Sequence, residues 1–198
     1  MDRKKTIDLP APSLKSAVSL EEAIQKRRSI RAYSRRELSL AQISQILWAA
    51  QGITLRKGLL RSAPSAGAVY PMETYLLKKD GVFHYIPKTH SLETVTGNDL
   101  RKELSKSALG QSPAAEAPVS IAICAVYEKL ARRYGERSQR YAHIEAGHIA
   151  ENIHLQAAAL GLGSVPIGAF EDEKVKKVLM LPSDCEPLYI IPVGYPAE

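Results

Sequence analysis

A chain of 198 residues, 45% hydrophobic and 24% charged, is long enough to bury a core, and it predicts one globular domain spanning residues 1–198. It has no run of about 20 apolar residues that could cross a membrane, and its first residues lack the apolar stretch of a secretory signal, so we expect a cytoplasmic protein without membrane contact. Its two cysteines are too few for a disulfide framework, and neither has a CxxC or histidine partner that would indicate a metal site.

The net charge of +6 raises the question of nucleic-acid binding. Residues 1–36 contain ten Lys or Arg and four acidic residues, whereas the remaining residues contain 17 of each kind. Because the whole excess lies in one segment, we expect no broad basic face and no nucleic-acid partner. The distribution instead predicts a local anion site near residues 27–31.

The first part of the chain predicts an extended arm followed by two helices. Residues 1–18, with two prolines, form the arm. Ser19 and Glu22 make a capping box that begins the first helix, and Ser39 caps a second helix that ends at Gly52. The apolar side of the first helix is Leu20, Ala23 and Ile24. The apolar face of the second is Leu40, Ile43, Ile46, Leu47 and Ala50.

A loop and a hairpin follow. Small residues and prolines in residues 58–71 favour close backbone packing rather than a regular element. The dipeptide Asp80-Gly81, between apolar residues 72–79 and 82–86, predicts a β-hairpin.

The second half predicts helices of varied length between strands. Residues 119–126 form an unbroken apolar run, as expected of a central strand buried on both faces. Helices are predicted over residues 99–109, 137–160 and 171–180, and a last strand over residues 188–193. Because this order lacks regular βαβ alternation, we expect an α+β layer fold.

Three segments suggest chemistry. Arg27-Arg28-Ser29-Ile30-Arg31 places three guanidinium groups and a hydroxyl at a helix end, where they could bind a phosphate or merely stabilise the helix dipole. Residues 63–71 could lie flat against an aromatic ligand or form an ordinary tight loop. Residues 161–170 could offer backbone N–H groups or simply end a helix. Together they fit a phosphorylated planar cofactor, and no dinucleotide fingerprint or P-loop is present.

The set of motifs resembles the nitroreductase superfamily, in particular its SagB-type dehydrogenase branch, and covers nearly the whole chain in order. The segments that carry the resemblance are RRSIRAYS, LWAAQGIT, RSAPSAGAVYP, IEAGHIAENIHLQAAALGLGSVPIGAF and PVGYP. The resemblance implies the nitroreductase fold, an α+β fold with a central, mainly antiparallel sheet flanked by helices, in an intertwined homodimer.

The resemblance also implies FMN as cofactor, with NAD(P)H as hydride donor and a nitroaromatic or quinone as acceptor. Flavin N5 would carry the chemistry, so no catalytic side chain is expected. Contacts to the FMN phosphate and ribityl chain are implied for Arg27, Arg28, Ser29 and Arg31. Residues implied to line the isoalloxazine from the other subunit are Pro64, Ser65, Ala66 and Gly67. Residues implied near flavin N5 are Pro166, Ile167, Gly168 and Ala169.

Two departures from better-known nitroreductases stand out. Gly168 occupies the place of their acidic residue near N5. No counterpart of their basic pair follows the last strand, so the phosphate charge must come from residues 27–31 or another arginine, for which Arg137 and Arg140 are candidates unless they are solvated helix charges.

Two other functions remain open. Azoline-oxidising relatives of the SagB-type branch carry a Lys-Tyr pair where this chain has Arg133-Tyr134, which leaves a peptide thiazoline or oxazoline dehydrogenase as an alternative. A non-catalytic flavin-binding module is another. His148, on the long helix, is predicted to be a core-packed histidine rather than a proton donor.

Overall fold

A seven-stranded antiparallel sheet forms the centre of the computed structural model, which describes residues 5–55, 57 and 60–197. The elements in chain order are β1 (Thr6–Asp8), α1 (Leu20–Lys26), α2 (Leu40–Gln51), β2 (Ile53–Leu55), β3 (Leu60–Arg61), β4 (Met72–Lys78), β5 (Gly81–Ile86), β6 (Ser91–Thr96), α3 (Arg101–Ser107), α4 (Pro113–Glu116), β7 (Val119–Ala125), α5 (Tyr127–Tyr134), α6 (Ser138–Ala159), β8 (Gly163–Ser164), α7 (Asp172–Leu179) and β9 (Glu186–Gly194). The strand order is β1-β6-β5-β4-β7-β9-β8, and β2 pairs with β3 separately. The expected α+β fold with an antiparallel sheet is confirmed.

Strand β7 is the central strand, as its apolar run predicted. All of its residues are buried, between β4 on one side and β9 on the other. Ile121 and Ile123 point into the core layer shared with α2 and α6. Ala122 and Cys124 point into a second layer with α3, α4 and α7. Because successive strand residues face opposite sides, one strand supplies both layers.

The two predicted capping boxes are present at the starts of α1 and α2. Ser19 and Ser39 each accept a hydrogen bond from the backbone three residues on, and Glu22 and Gln42 bond back to the cap. The apolar face of α2 is buried except for Leu40. On α1, Ala23 alone of the three predicted apolar residues is buried, so the expectation for Leu20 and Ile24 is wrong for a single chain.

Helix α6 is the longest helix, about 33 Å at 1.5 Å per residue. Its buried face includes Ala142, Ala146, Ile149, Ile153 and Ala157. His148 is exposed, so the prediction of a core-packed histidine is wrong. At 100° per residue, position 148 lies about 140° from the middle of the buried face.

Two other segments differ from expectation. The N-terminal arm contributes β1, which pairs with β6 at the edge of the sheet, and Ser13 N donates to Gln45 Oε1 at 2.8 Å. The predicted loop of residues 58–71 includes β3 and a short 3-10 turn at Ala66–Ala68, because residues 60–61 pair with β2. Gly58 and the first four residues of the arm lie outside the described residues.

Within the described part of the chain, no helix is long and apolar enough to cross a membrane. Among the same residues, no group of three or more His, Cys, Asp or Glu side chains is placed to hold a metal ion. Cys124 and Cys185 are buried free thiols.

Candidate functional site

A basic cavity of about 250 Å³ lies between the end of α1 and the end of α6. Its polar lining consists of Lys26, Arg27, Arg28, His154 and Ser164. Larger grooves of about 430 and 950 Å³ run beside the N-terminal arm around Trp48, but each is lined by a single lysine, Lys15 or Lys88. The concentration of cations makes the smaller cavity the better anion site.

Two of the three sequence segments meet at this cavity. Ile30 N donates to Ser164 O at 3.0 Å, and Ser29 and Ser164 form a parallel bridge. A Cβ on Gly163 would lie 2.6 Å from Ile30 Cβ, so this close approach requires glycine. The structure thereby joins residues 27–31 to residues 161–170.

The basic residues around the cavity have different roles. Arg28 Nη1 donates to the carbonyls of Gln25 and Arg27 at 2.8 and 2.7 Å, so Arg28 also caps α1, which was the alternative for this segment. Arg27 Nε lies 4.0 Å from Glu151. Lys26 faces the cavity too, although the sequence analysis passed over it. Ser29 and Arg31 are exposed beside it.

A buried histidine, His154, lines the basic cavity. His154 Nδ1 and Ser164 Oγ are hydrogen-bonded at 2.6 Å. Burial lowers the pKa of His154, more than the nearby Glu151 raises it, which favours a neutral imidazole. The sequence alone did not indicate a role for His154, because its partner Ser164 is on a different element.

The segment from Ser164 to Gly168 runs along β9 away from the cavity. Ile167 and Ile190 exchange two backbone hydrogen bonds, at 2.8 and 3.0 Å, which fix the turn that follows. Pro166 is half-buried, and Gly168 and Ala169 are exposed beyond this bridge. Four extended residues span roughly 13 Å. The segment therefore leads from the basic cavity to an uncharged part of the surface at Gly168 and Ala169.

The loop of residues 63–71 lies elsewhere in the same chain. Pro64 and Gly67 are exposed, and Ser65 and Ala66 are half-buried. Arg133 Nη1 donates to Gly67 O at 3.1 Å, so α5 holds the tip of the loop. A Cβ on Gly67 would lie 2.5 Å from the hydroxyl of Tyr134. The Arg-Tyr pair singled out in the sequence therefore contacts this loop.

The loop is distant from the basic cavity within one chain. Ser65 lies beside Glu145, whereas the cavity lies beside His154, nine positions further along α6. Nine residues of α-helix span about 13 Å. One chain thus joins two of the three segments and leaves the third apart.

The candidate cations Arg137 and Arg140 are exposed near the start of α6. Arg140 is 14 residues before His154 in this helix, a separation of about 21 Å. Neither residue reaches the cavity of its own chain.

The neighbourhood of Glu145 was missed by the sequence analysis. Glu145 is 1% exposed and faces Ser65, Arg61 and Gln51. Burial raises its pKa to about 7, against the lowering effect of these three neighbours. The signal in the sequence that could have indicated this site is that Glu145 places a carboxylate next to Ala146, on the apolar side of α6.

Comparison with known proteins decides the family. The model of the family described as "Nitroreductase family" matches residues 24–195, which is most of the chain. The chain belongs to the nitroreductase family. This agrees with the fold and with the two segments that meet at the basic cavity.

Three relatives illustrate the range of the nitroreductase family. The chain is 40% identical over 199 residues to "Putative nitroreductase MJ1384" of Methanocaldococcus jannaschii, covering 98% of each. It is 26% identical to FMN reductase (NAD(P)H) of Bacillus subtilis, covering 89% of this chain and 66% of that protein. It is 27% identical to the Microcin B17-processing protein McbC of Escherichia coli, covering 73% of this chain but 57% of that protein.

A solved structure extends the comparison to the nitroreductase fold. The crystal structure of a Ralstonia eutropha protein, described as a "putative nitroreductase", aligns with a TM-score of 0.89 at 28% identity. The alignment covers 98% of this chain and 90% of that one. The expected nitroreductase fold is confirmed.

Proposed function

We propose that this protein is an FMN-dependent oxidoreductase that takes a hydride from NAD(P)H and delivers it to an organic acceptor such as a nitroaromatic or a quinone. The basic cavity, together with residues 164–169 that lead away from it, carries the proposal. Its three cations and the hydroxyl of Ser164 suit a phosphate, and the exposed backbone beyond Ile167 suits a flat ring. When bound, FMN would supply the hydride chemistry at N5.

Different residues would bind different parts of FMN in this proposal. Arg27, Arg28, Ser29 and Arg31 hold the phosphate and ribityl chain, with Lys26 replacing a cation that other nitroreductases place after the last strand. Pro166, Ile167, Gly168 and Ala169 would lie near N5, where the backbone bonds of Ile167 to Ile190 fix the turn that carries Gly168 and Ala169. Since Gly168 has no side chain, this position orients the ring by backbone contacts alone.

We place the remaining contacts on a second copy of the chain. Pro64, Ser65, Ala66 and Gly67 would line the ring from the partner, because this loop is remote from the cavity of its own chain. Exposed apolar side chains on α1 and α6, two helices that pack together, are available for dimer formation. Leu20, Ile24 and Ile144 are 61%, 56% and 48% exposed there. Burying such side chains drives association.

The test of function is oxidation of NADH and NADPH by protein loaded with FMN, with a nitroaromatic and a quinone as acceptors. We expect parallel lines in double-reciprocal plots, since donor and acceptor use the same site in turn. Arg27→Ala should raise the FMN dissociation constant at least tenfold, because it removes a charged phosphate contact. Arg132→Ala, at an exposed arginine of α5, is the matched control. Turnover unaffected by FMN would contradict the proposal.

One observation favours a second function, dehydrogenation of a thiazoline or oxazoline in a peptide. Arg133 and Tyr134 contact Gly67 of the loop proposed to face the flavin. This is the place of the Lys-Tyr pair expected of azoline-oxidising proteins of the SagB-type branch, to which we assign the chain. Arg in place of Lys argues against this function. Oxidation of a thiazoline peptide that is lost in Tyr134→Phe would establish it.

A further inference from the structure

The loop of residues 63–71 is held in a strained conformation. Gly67, Ala68 and Tyr70 have φ angles of 60°, 55° and 54°. This left-handed region is sterically unfavourable for alanine and tyrosine, so surrounding contacts must hold them there. Such strain is concentrated at functional loops in proteins, which makes the contacts that maintain it informative.

Polar contacts beneath the loop maintain this conformation. Tyr70 N donates to Ser65 Oγ at 2.9 Å, and Arg61 N donates to the Tyr70 hydroxyl at 3.1 Å. The Arg61 guanidinium lies 4.7 Å from the centre of the Tyr70 ring, and its Nη1 donates to Gln51 Oε1 at 2.6 Å. Ser65 and Arg61 are therefore the two supports of the loop.

The carboxyl group of Glu145 faces both supports. Among the described residues, neither of its oxygens has a partner in hydrogen-bond geometry, and the same holds for Gln51 Nε2. Buried polar groups are ordinarily hydrogen-bonded, so a buried carboxyl without such a bond beside a strained loop points to a role in that loop.

The charges around Glu145 leave both of its protonation states accessible near neutral pH. Burial opposes ionisation of Glu145, whereas Arg61 on β3 favours it. Burial lowers the pKa of Arg61, whereas Glu73 on β4, Tyr70 in the loop and Tyr85 on β5 raise it. Gln51 on α2 and Ser65 complete the surroundings and carry no charge.

We propose that Glu145 is a positioning residue for the flavin-facing loop, and that its proton selects between two arrangements of Ser65 and Arg61. The proposal rests on the proposed function, which places residues 64–67 against FMN. Protonated Glu145 donates to Ser65 Oγ, which already accepts from Tyr70 N. Ionised Glu145 accepts from the Arg61 guanidinium and draws it away from Gln51 and the Tyr70 ring. The loop is thereby supported differently in the two states.

The first experiment uses the protein without flavin. Carboxyl ¹³C signals of labelled glutamate and the amide signal of Tyr70 are followed from about pH 5 to about pH 9. We expect one glutamate signal and the Tyr70 amide to shift with the same midpoint, near 7. Both shifts should disappear in Glu145→Gln and persist in Glu128→Gln, whose glutamate is exposed on α5. Ser65→Ala should retain the carboxyl shift and abolish the response of the amide.

The second experiment uses protein saturated with FMN and records the visible circular dichroism of the flavin over the same pH range. We expect a spectral transition in the unaltered protein and in Glu128→Gln. Glu145→Gln should show the low-pH spectrum throughout, because its amide remains uncharged and can donate to Ser65.

The outcomes separate the two proposals. A Tyr70 amide that does not respond to pH, or a pH-dependent flavin spectrum retained in Glu145→Gln, would overturn the role of Glu145. Failure of FMN to bind at any pH would overturn the proposed function, while the flavin-free experiment would still decide whether Glu145 controls the loop. If Glu145→Gln does not fold, the contrast between unaltered protein and Ser65→Ala gives the answer.

Discussion

The carboxyl groups of half-buried Glu73 and buried Glu145 have opposite pKa shifts, and the difference lies in their partners. Burial would raise the pKa of Glu73, but hydrogen bonds from His84 at 2.8 Å and Lys129 at 2.6 Å outweigh it and lower that pKa to about 2. For Glu145, burial outweighs the lowering effects of Ser65, Arg61 and Gln51 and raises the pKa to about 7. The two groups should therefore affect stability in different pH ranges.

Glu145 should make the folded state less stable as the pH rises. Its pKa is 4.5 when unperturbed and about 7 in the folded chain, so between these values the folded state binds more protons than the unfolded state. The free energy of unfolding then falls by about 3 kcal/mol across this range. Urea unfolding of Glu145→Gln at about pH 5 and pH 8 should lack this loss. An unchanged pH dependence would contradict the assignment.

Glu73 should make the folded state less stable as the pH falls, and over a lower pH range than Glu145. Because its pKa is lowered, its contribution is complete above the unfolded value of 4.5 and is lost as the pH falls through about 2. Glu73→Gln should therefore destabilise the protein by about 2–3 kcal/mol near neutral pH and by much less at about pH 2. Thermal unfolding at both pH values measures this, with Glu128→Gln as control. Equal destabilisation at both pH values would refute the account.

Helix α6 connects the core, the basic cavity and the loop, so its two faces should respond differently to the same substitution. Ile149 is 0% exposed and Ile144 is 48% exposed. Ile149→Ala should cost about 2–5 kcal/mol of unfolding free energy because it leaves a cavity in the core. Ile144→Ala should cost about 0.5 kcal/mol within one chain. Denaturant unfolding at low protein concentration compares them, and a similar cost for both would mean that the faces are misassigned.

Local features of these elements were predictable and distant pairings were not. The capping boxes at Ser19 and Ser39 involve residues three apart, so the sequence contains the whole contact. The pairing of β1 with β6 depends on a strand far along the chain, and the arm alone gave no sign of it. His148 was misjudged and Glu145 was missed because the residue type alone does not tell which side of α6 faces the core.

The candidate site shows the same limit. Residues 27–31 were recognised by their charge, but their contact with Ser164 could not be derived from spacing. The resemblance to nitroreductases supplied that connection. Lys26 and the His154–Ser164 pair emerged from the fold, because each depends on how the ends of α1 and α6 meet.

At the scale of the whole molecule, the proposed FMN site requires a second chain. The loop and the basic cavity are separated within one chain, and exposed Leu20 and Ile24 lie on a helix that packs against α6. Ile24→Glu should therefore yield a monomer in sedimentation experiments and weaken FMN binding at least tenfold, because a charge would be buried at the interface. Leu109→Glu is the matched control, since Leu109 is 62% exposed and follows α3 on the other face of the sheet. A monomer that binds FMN normally would refute the shared site.

The absorbance spectrum of the protein purified with excess FMN, followed by anaerobic addition of NADH or NADPH, tests the central claim most directly. We predict flavin absorbance bands that remain with the protein and bleach when one of the nicotinamides is added, which would also identify the donor. Flavin that binds but is reduced by neither nicotinamide would indicate a non-catalytic flavin-binding module. Failure to retain FMN at all would contradict both the site and the function.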